Sequence, residues 1–197
     1  MRAIHESGEV TVRADLELLY PLNEFYAESG LALPAAAVVE PGLIPEQYRR
    51  ILAHDLDMTP TLEAAYGQSL HLRVLQYSLR ESVFSRLVLL VLDGTERAVA
   101  MGAIKIYLER LPEEARRLVL EREKPLGTIL RIEGIQHRSH PVAYFQVAPD
   151  DLIRQALRTN GAELLYGRRN VLWDASGQAL ARVLEILPFA SEEISGE

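Results

Sequence analysis

The chain has no cysteine, which excludes disulfides, zinc–thiolate centres and thiol nucleophiles. Basic residues are in the minority, 21 Lys and Arg against 28 Asp and Glu, for a formal net charge of −7. A general nucleic-acid binder needs a basic footprint to displace counterions, so no nucleic-acid partner is expected. No apolar run approaches the roughly 20 residues of a membrane span; the longest is Leu87 to Leu92. The start, Met1-Arg2-Ala3-Ile4-His5-Glu6-Ser7, turns acidic without an apolar stretch, so no secretory leader and no membrane contact are expected. By elimination the expected location is cytoplasmic. Internal repeats, Gly-x-Gly-x-x-Gly and Walker loops and a Gly-x-Ser-x-Gly elbow are also missing.

What is present is an ordinary globular composition, 48% hydrophobic against 25% charged, over 197 residues. A chain of that length hides roughly 70% of its unfolded surface and can build a sizeable core. One domain is expected over residues 1–197, with a core at 44–188. Residues 1–43 read as a segment wrapping the surface, because Leu31 to Gly42 is too apolar for a solvated linker. Residues 189–197 read as a polar, flexible tail.

Helices are predicted at Ile44–His54, from Pro60 with Thr59 as its cap, at Pro112–Glu123, from Pro125, and at Asp150–Arg158. Leu70, Leu72 and Val74 alternate with His71 and Arg73 as in a half-exposed strand. Leu87–Leu92 and Ala98–Tyr107 flank an Asp93-Gly94 turn, and Leu164–Trp173 and Ala179–Leu187 flank Asp174 to Gly177. Val142–Val147 is a further strand candidate. Tight strand pairs with helices inserted in blocks predict an α+β fold, an antiparallel sheet flanked by helices.

Two charges interrupt apolar strand faces. Arg86 shares a face with Val88, Leu90 and Leu92, and Glu185 with Ala181, Val183 and Leu187. Unpaired burial is costly, so either both reach water or pair structurally, or they wall a pocket. In a pocket, the guanidinium fork of Arg86 would grip a carboxylate through two parallel bonds. Glu185, desolvated, would serve as a proton donor. Met58-Thr59-Pro60 and Lys124-Pro125-Leu126-Gly127 are predicted helix starts, where unpaired N–H groups favour anions.

In order, Asp57-Met58-Thr59, Arg86 ahead of Asp93-Gly94, Lys124-Pro125-Leu126-Gly127, Tyr166-Gly167-Arg168-Arg169 and Leu184-Glu185 ahead of Pro188 resemble the chorismate pyruvate-lyase family. The resemblance covers about Leu52 to Pro188. It implies the chorismate lyase-like fold and a metal-free, cofactor-free lyase that eliminates pyruvate from chorismate to leave 4-hydroxybenzoate. By it, Arg86 would hold the ring carboxylate with the amides of Met58 and Leu126, beside Gly127, and Glu185 would sit at the opposite end as the catalytic acid. Where the family has a second arginine, after Gly102, this chain has Ala103, and Lys105 is expected to supply the charge. From the residues themselves, Arg168-Arg169 reads either as surface charge or as a pair of which one, Arg168, meets the second carboxylate of a dicarboxylate.

The alternative is a non-catalytic sensor of aromatic acids, since the effector domains of a class of bacterial transcription regulators share that fold. About fifty residues precede the matching region without a basic recognition helix, so a self-contained regulator is not expected. His137 with His140, and His54 with Asp55 and Asp57, could be read as metal pairs, but neither has a convincing third ligand; no metal is expected.

Overall fold

The computed structural model describes residues 17–159, 161 and 163–188. One seven-stranded antiparallel sheet runs through it: β1 (Ala36–Val38), β2 (Leu70–Arg80), β3 (Val83–Leu92), β4 (Ala98–Tyr107), β5 (His137–Val147), β6 (Leu165–Asp174) and β7 (Ala179–Leu187), in the order β1-β5-β6-β7-β4-β3-β2. The hairpins β3–β4 and β6–β7 turn where Asp93-Gly94 and Asp174 to Gly177 predicted, and Gly94 and Gly177 take the positive φ such turns need. The expected α+β class stands.

Helices cover both faces. α1 (Leu22–Ser29) and α6 (Asp151–Leu157) pack on one face, where Leu22, Phe25, Tyr26, Ile153 and Leu157 meet Leu87, Leu89 and Val91. On the other face α2 (Glu46–Leu52) and α3 (Met58–Tyr66) form one apolar cluster with Leu70 and Leu90. There too, α4 (Glu113–Glu121) and α5 (Leu126–Ile132) form a second with Phe84, Ile104 and Leu172. Strand β3 is therefore buried on both sides, as its unbroken apolar run predicted.

The N-terminal segment does more than wrap the surface. Its helix α1 closes a face of the sheet, and Ala36–Val38 adds an edge strand beside β5. The expected tail, residues 189–197, lies outside the described residues. Helix α3 starts earlier than predicted: Asp57, not Thr59, holds the extended cap position. Pro60 fits in the first turn because its missing N–H would have had no intrahelical partner there.

Gly167 shows how tightly β6 is seated. A Cβ there would lie 2.3 Å from the Glu185 carbonyl oxygen and 2.5 Å from a Phe145 ring carbon. Gly167→Ala is expected to cost about 3 kcal/mol, the upper part of the overpacking range, because one clash is with backbone. Urea unfolding measures it; a midpoint like that of the parent protein would show that the strands part easily.

Candidate ligand cavity

The sheet register builds the floor of a cavity from two transverse rows. Arg86 pairs with Ile104, Ile104 with Val183, and Val183 with Asn170. The next row is Val88, Gly102, Glu185 and Arg168. Side chains across a pleated ladder share a face, so both rows look toward the α2–α3 and α4–α5 pairs. Between the pairs lies a cavity of about 70 Å³. Arg86, Gly102, Asn170, Val183 and Glu185 line it from the sheet, and Asp57, Met58, Thr59, Leu126 and Gly127 from the helix starts.

Arg86 is 1% exposed and has no ionic partner among the described residues. Its Nη2 donates to the Lys124 carbonyl at 3.1 Å, which ties the guanidinium to the turn leading into α5. Nε and Nη1 are buried with no partner among the described residues. Loss of hydration lowers its pKa to about 10, so the side chain still carries its charge at neutral pH.

The two helix starts meet at Asp57. A Cβ at Gly127 would approach Asp57 Oδ2 to 3.2 Å, so glycine allows α5 this close to the α3 cap. The Asp57 side chain does not cap its own helix. Oδ2 instead accepts from His137 Nε2 at 2.9 Å, while His137 Nδ1 lies 3.1 Å from the Ile135 carbonyl. Both ring nitrogens thus face acceptors, an arrangement that only the doubly protonated imidazolium satisfies. Consistently, the bond to Asp57 raises the His137 pKa, against the opposing effect of burial.

A raised histidine pKa means stabilisation that is full below the unfolded value, about 6.5, and is lost as pH rises through the folded value. The thermal midpoint is therefore expected to fall across that interval, and His137→Gln to flatten this part of the profile. An unaltered profile in the variant would show that the pair contributes nothing.

Arg168 is fully buried and uses all its nitrogens. Nε donates to Glu185 Oε2 at 2.6 Å, Nη1 to the carbonyls of His54 at 2.9 Å and Leu52 at 3.3 Å, and Nη2 to Leu56 at 3.0 Å. It therefore pins the 52–57 connection onto the sheet and does not line the cavity. The expected role of Arg168 on a second carboxylate is corrected accordingly. Glu185, expected as an unpaired proton-carrying acid, is instead held by a buried guanidinium. His54 Nδ1 accepts from Leu56 N at 3.0 Å and faces Arg168 Nη1 at 3.3 Å, so its ring is neutral, and burial lowers its pKa.

The structure brings Met58, Arg86, Leu126, Gly127 and Glu185 to one cavity. It does not bring Lys105, whose register partner on β3 is Ser85, one residue off the Arg86 row and so on the opposite face, where it pairs with Glu24 at 2.6 Å. Sequence reasoning missed Asp57 and Asn170 as lining groups. The Asp57-Met58-Thr59 motif contained the first; Asn170, beside Arg168-Arg169 on β6, carried no local signal. Among the described residues no three His, Asp or Glu side chains group as a metal site, and no helix is long and apolar enough to cross a membrane.

No family model matches the chain, and no curated protein matches it. Solved structures do. The effector domain of PhnF from Mycobacterium smegmatis is similar at 17% identity and a TM-score of 0.52, over 68% of this chain and 88% of that one. A second PhnF structure from that organism matches at 15% identity and a TM-score of 0.52, over 85% and 93% of the two chains. A GntR-family transcriptional regulator from Bacillus cereus matches at 13% identity and a TM-score of 0.43, over 62% and 94%.

The likeness bears out the chorismate lyase-like fold. It overturns the expected lyase activity, because the structures matched are effector domains of transcriptional regulators. The catalytic roles given to Arg86 and Glu185 fall with it, and the Arg168–Glu185 bond agrees, since it gives the carboxylate a buried cationic partner. The matches also lend no support to the expectation that nucleic acid plays no part.

Proposed function

We propose that the chain is a non-catalytic sensor that binds a small organic acid in the Arg86 cavity. The observation that carries this is the pair of guanidinium nitrogens, Nε and Nη1, without a partner among the described residues, on a residue that lines the cavity. Buried polar groups are nearly always bonded, so two free donors on one buried charge call for an anionic occupant. Arg86 would receive the acid group, with the first-turn amides of α3 at Met58 and Thr59 favouring negative charge nearby. Leu126, Gly127, Val88 and Ile104 would enclose its apolar part. The neighbour's printed description as an effector domain suits the same reading.

Calorimetric titration with small aliphatic and aromatic carboxylates tests this. Saturable binding to the parent protein, lost in Arg86→Met, supports the reading. Absence of binding across the series, or binding that Arg86→Met leaves intact, would overturn it.

A further inference from the structure

We infer that the acid this cavity takes is a monoanion carrying a neutral hydrogen-bond donor, a hydroxyl or amide N–H, at the end away from its acid group. This rests on the acid-binding reading above and narrows it. The basis is that the unpartnered groups around the cavity are of two kinds. Besides the Arg86 donors there are two unpartnered acceptors, Asp57 Oδ1 and Asn170 Oδ1, both buried and both on lining residues.

The assignment at Asn170 follows from its neighbours. Ser139 Oγ donates its one proton to the Leu56 carbonyl at 3.3 Å, so toward Asn170 it can only accept. The 2.7 Å contact must then come from the Asn170 amide nitrogen, which leaves Oδ1 as the free atom. At Asp57, the imidazolium of His137 occupies Oδ2 and leaves Oδ1.

The register separates the two kinds. Arg86 and Asn170 bound the cavity-lining part of one transverse row, three strand spacings or about 14 Å apart at Cα, with Ile104 and Val183 between. Acid-binding donors therefore stand at one end, an apolar floor in the middle, and the Asn170 acceptor at the far end. Charge selects the kind of donor. Asp57 is matched by His137 and Glu185 by Arg168, so Arg86 alone is unbalanced. One negative charge on the ligand completes the site; a second charge, as in an amino acid, would leave it unbalanced again.

The test is calorimetry on the full chain with plain alkanoates, ω-hydroxyalkanoates and ω-aminoalkanoates, matched in length from butanoate to heptanoate. At the best-fitting length the hydroxy acid is expected to bind roughly tenfold tighter than its plain partner, the factor that one bond to a buried unpaired acceptor contributes. The amino acid is expected to show no such gain. Asn170→Leu should bring the ratio toward one. The ω-methoxyalkanoates, which keep the oxygen but lack its proton, should show no gain over the plain acids, and serve if the variant does not fold.

Equal affinity of the hydroxy and plain acids in the parent protein overturns this inference alone, and would mean that water serves the acceptors. Tighter binding of the amino acids overturns it too. Binding of none of the acids would remove the acid-binding reading along with it.

Discussion

Replacing Arg86 with methionine is expected to make the protein more stable and unable to bind an acid. Most buried arginines lose stability when removed, because a partner is left behind. Among the described residues the only partner is one carbonyl, that of Lys124, and two of the guanidinium nitrogens have none. Burial lowers the pKa to about 10, well below the ordinary guanidinium value, which corresponds to about 3 kcal/mol spent on keeping the charge out of water. For a base held below its ordinary value, that cost persists over the whole neutral range and is relieved only above the lowered value. Methionine has a similar length, packs flexibly and needs no hydration. After allowance for the freed Lys124 carbonyl, a gain of about 1–3 kcal/mol is expected, or roughly 2–4 °C in thermal midpoint for each kcal/mol. Thermal unfolding without added acid measures it. A clear loss of stability would make Arg86 a structural residue and its free nitrogens incidental. Stability given up at a site is what a binding role leads one to expect.

The same comparison shows what the sequence could and could not disclose. Arg86 and Glu185 were readable as inward-facing because each sits in a strand that is apolar on both sides, so that whichever face it takes is covered. The hairpin turns gave the register within β3–β4 and within β6–β7. The cross-links between distant segments were not readable. Nothing near Arg168 tells that three carbonyls of the 52–56 stretch converge on it, or that Glu185 lies directly across the ladder.

The apolar neighbours of Glu185 look the same whether it is paired or lone, and the proton-donor role rested on the second of these. Lys105 was assigned by likeness to a family position, against the parity of its own strand: Gly102 and Ile104 face the cavity, so Lys105 cannot. The Asp57–His137 contact joins segments 80 residues apart and carried no local signal either. Helix α1 was obscured by the prolines around it, although Leu22, Phe25 and Tyr26 have helical spacing.

Arg168→Met is expected to produce the largest loss of stability of any single change at the site. It strands Glu185 on a buried strand and frees the carbonyls of Leu52, His54 and Leu56. Leu52 ends α2, so one of those carbonyls belongs to a helix C-terminus that a cation stabilises. Removing one member of a buried ion pair costs about 3–5 kcal/mol, and here the unpaired carbonyls add to it. The 52–57 connection carries Asp57, so acid binding should weaken as well, though Arg168 is not a lining residue. Adding Glu185→Leu to Arg168→Met removes the unpaired carboxylate and should recover about half of the loss, because an apolar pair of similar volume is tolerated where half an ion pair is not. The rest should remain, since no substitution at position 185 serves the three carbonyls. A double-mutant cycle by urea unfolding separates the two parts. A single-variant loss below about 1 kcal/mol would place the pair among those that contribute little, and the connection above the cavity would then have to be held by its apolar contacts alone.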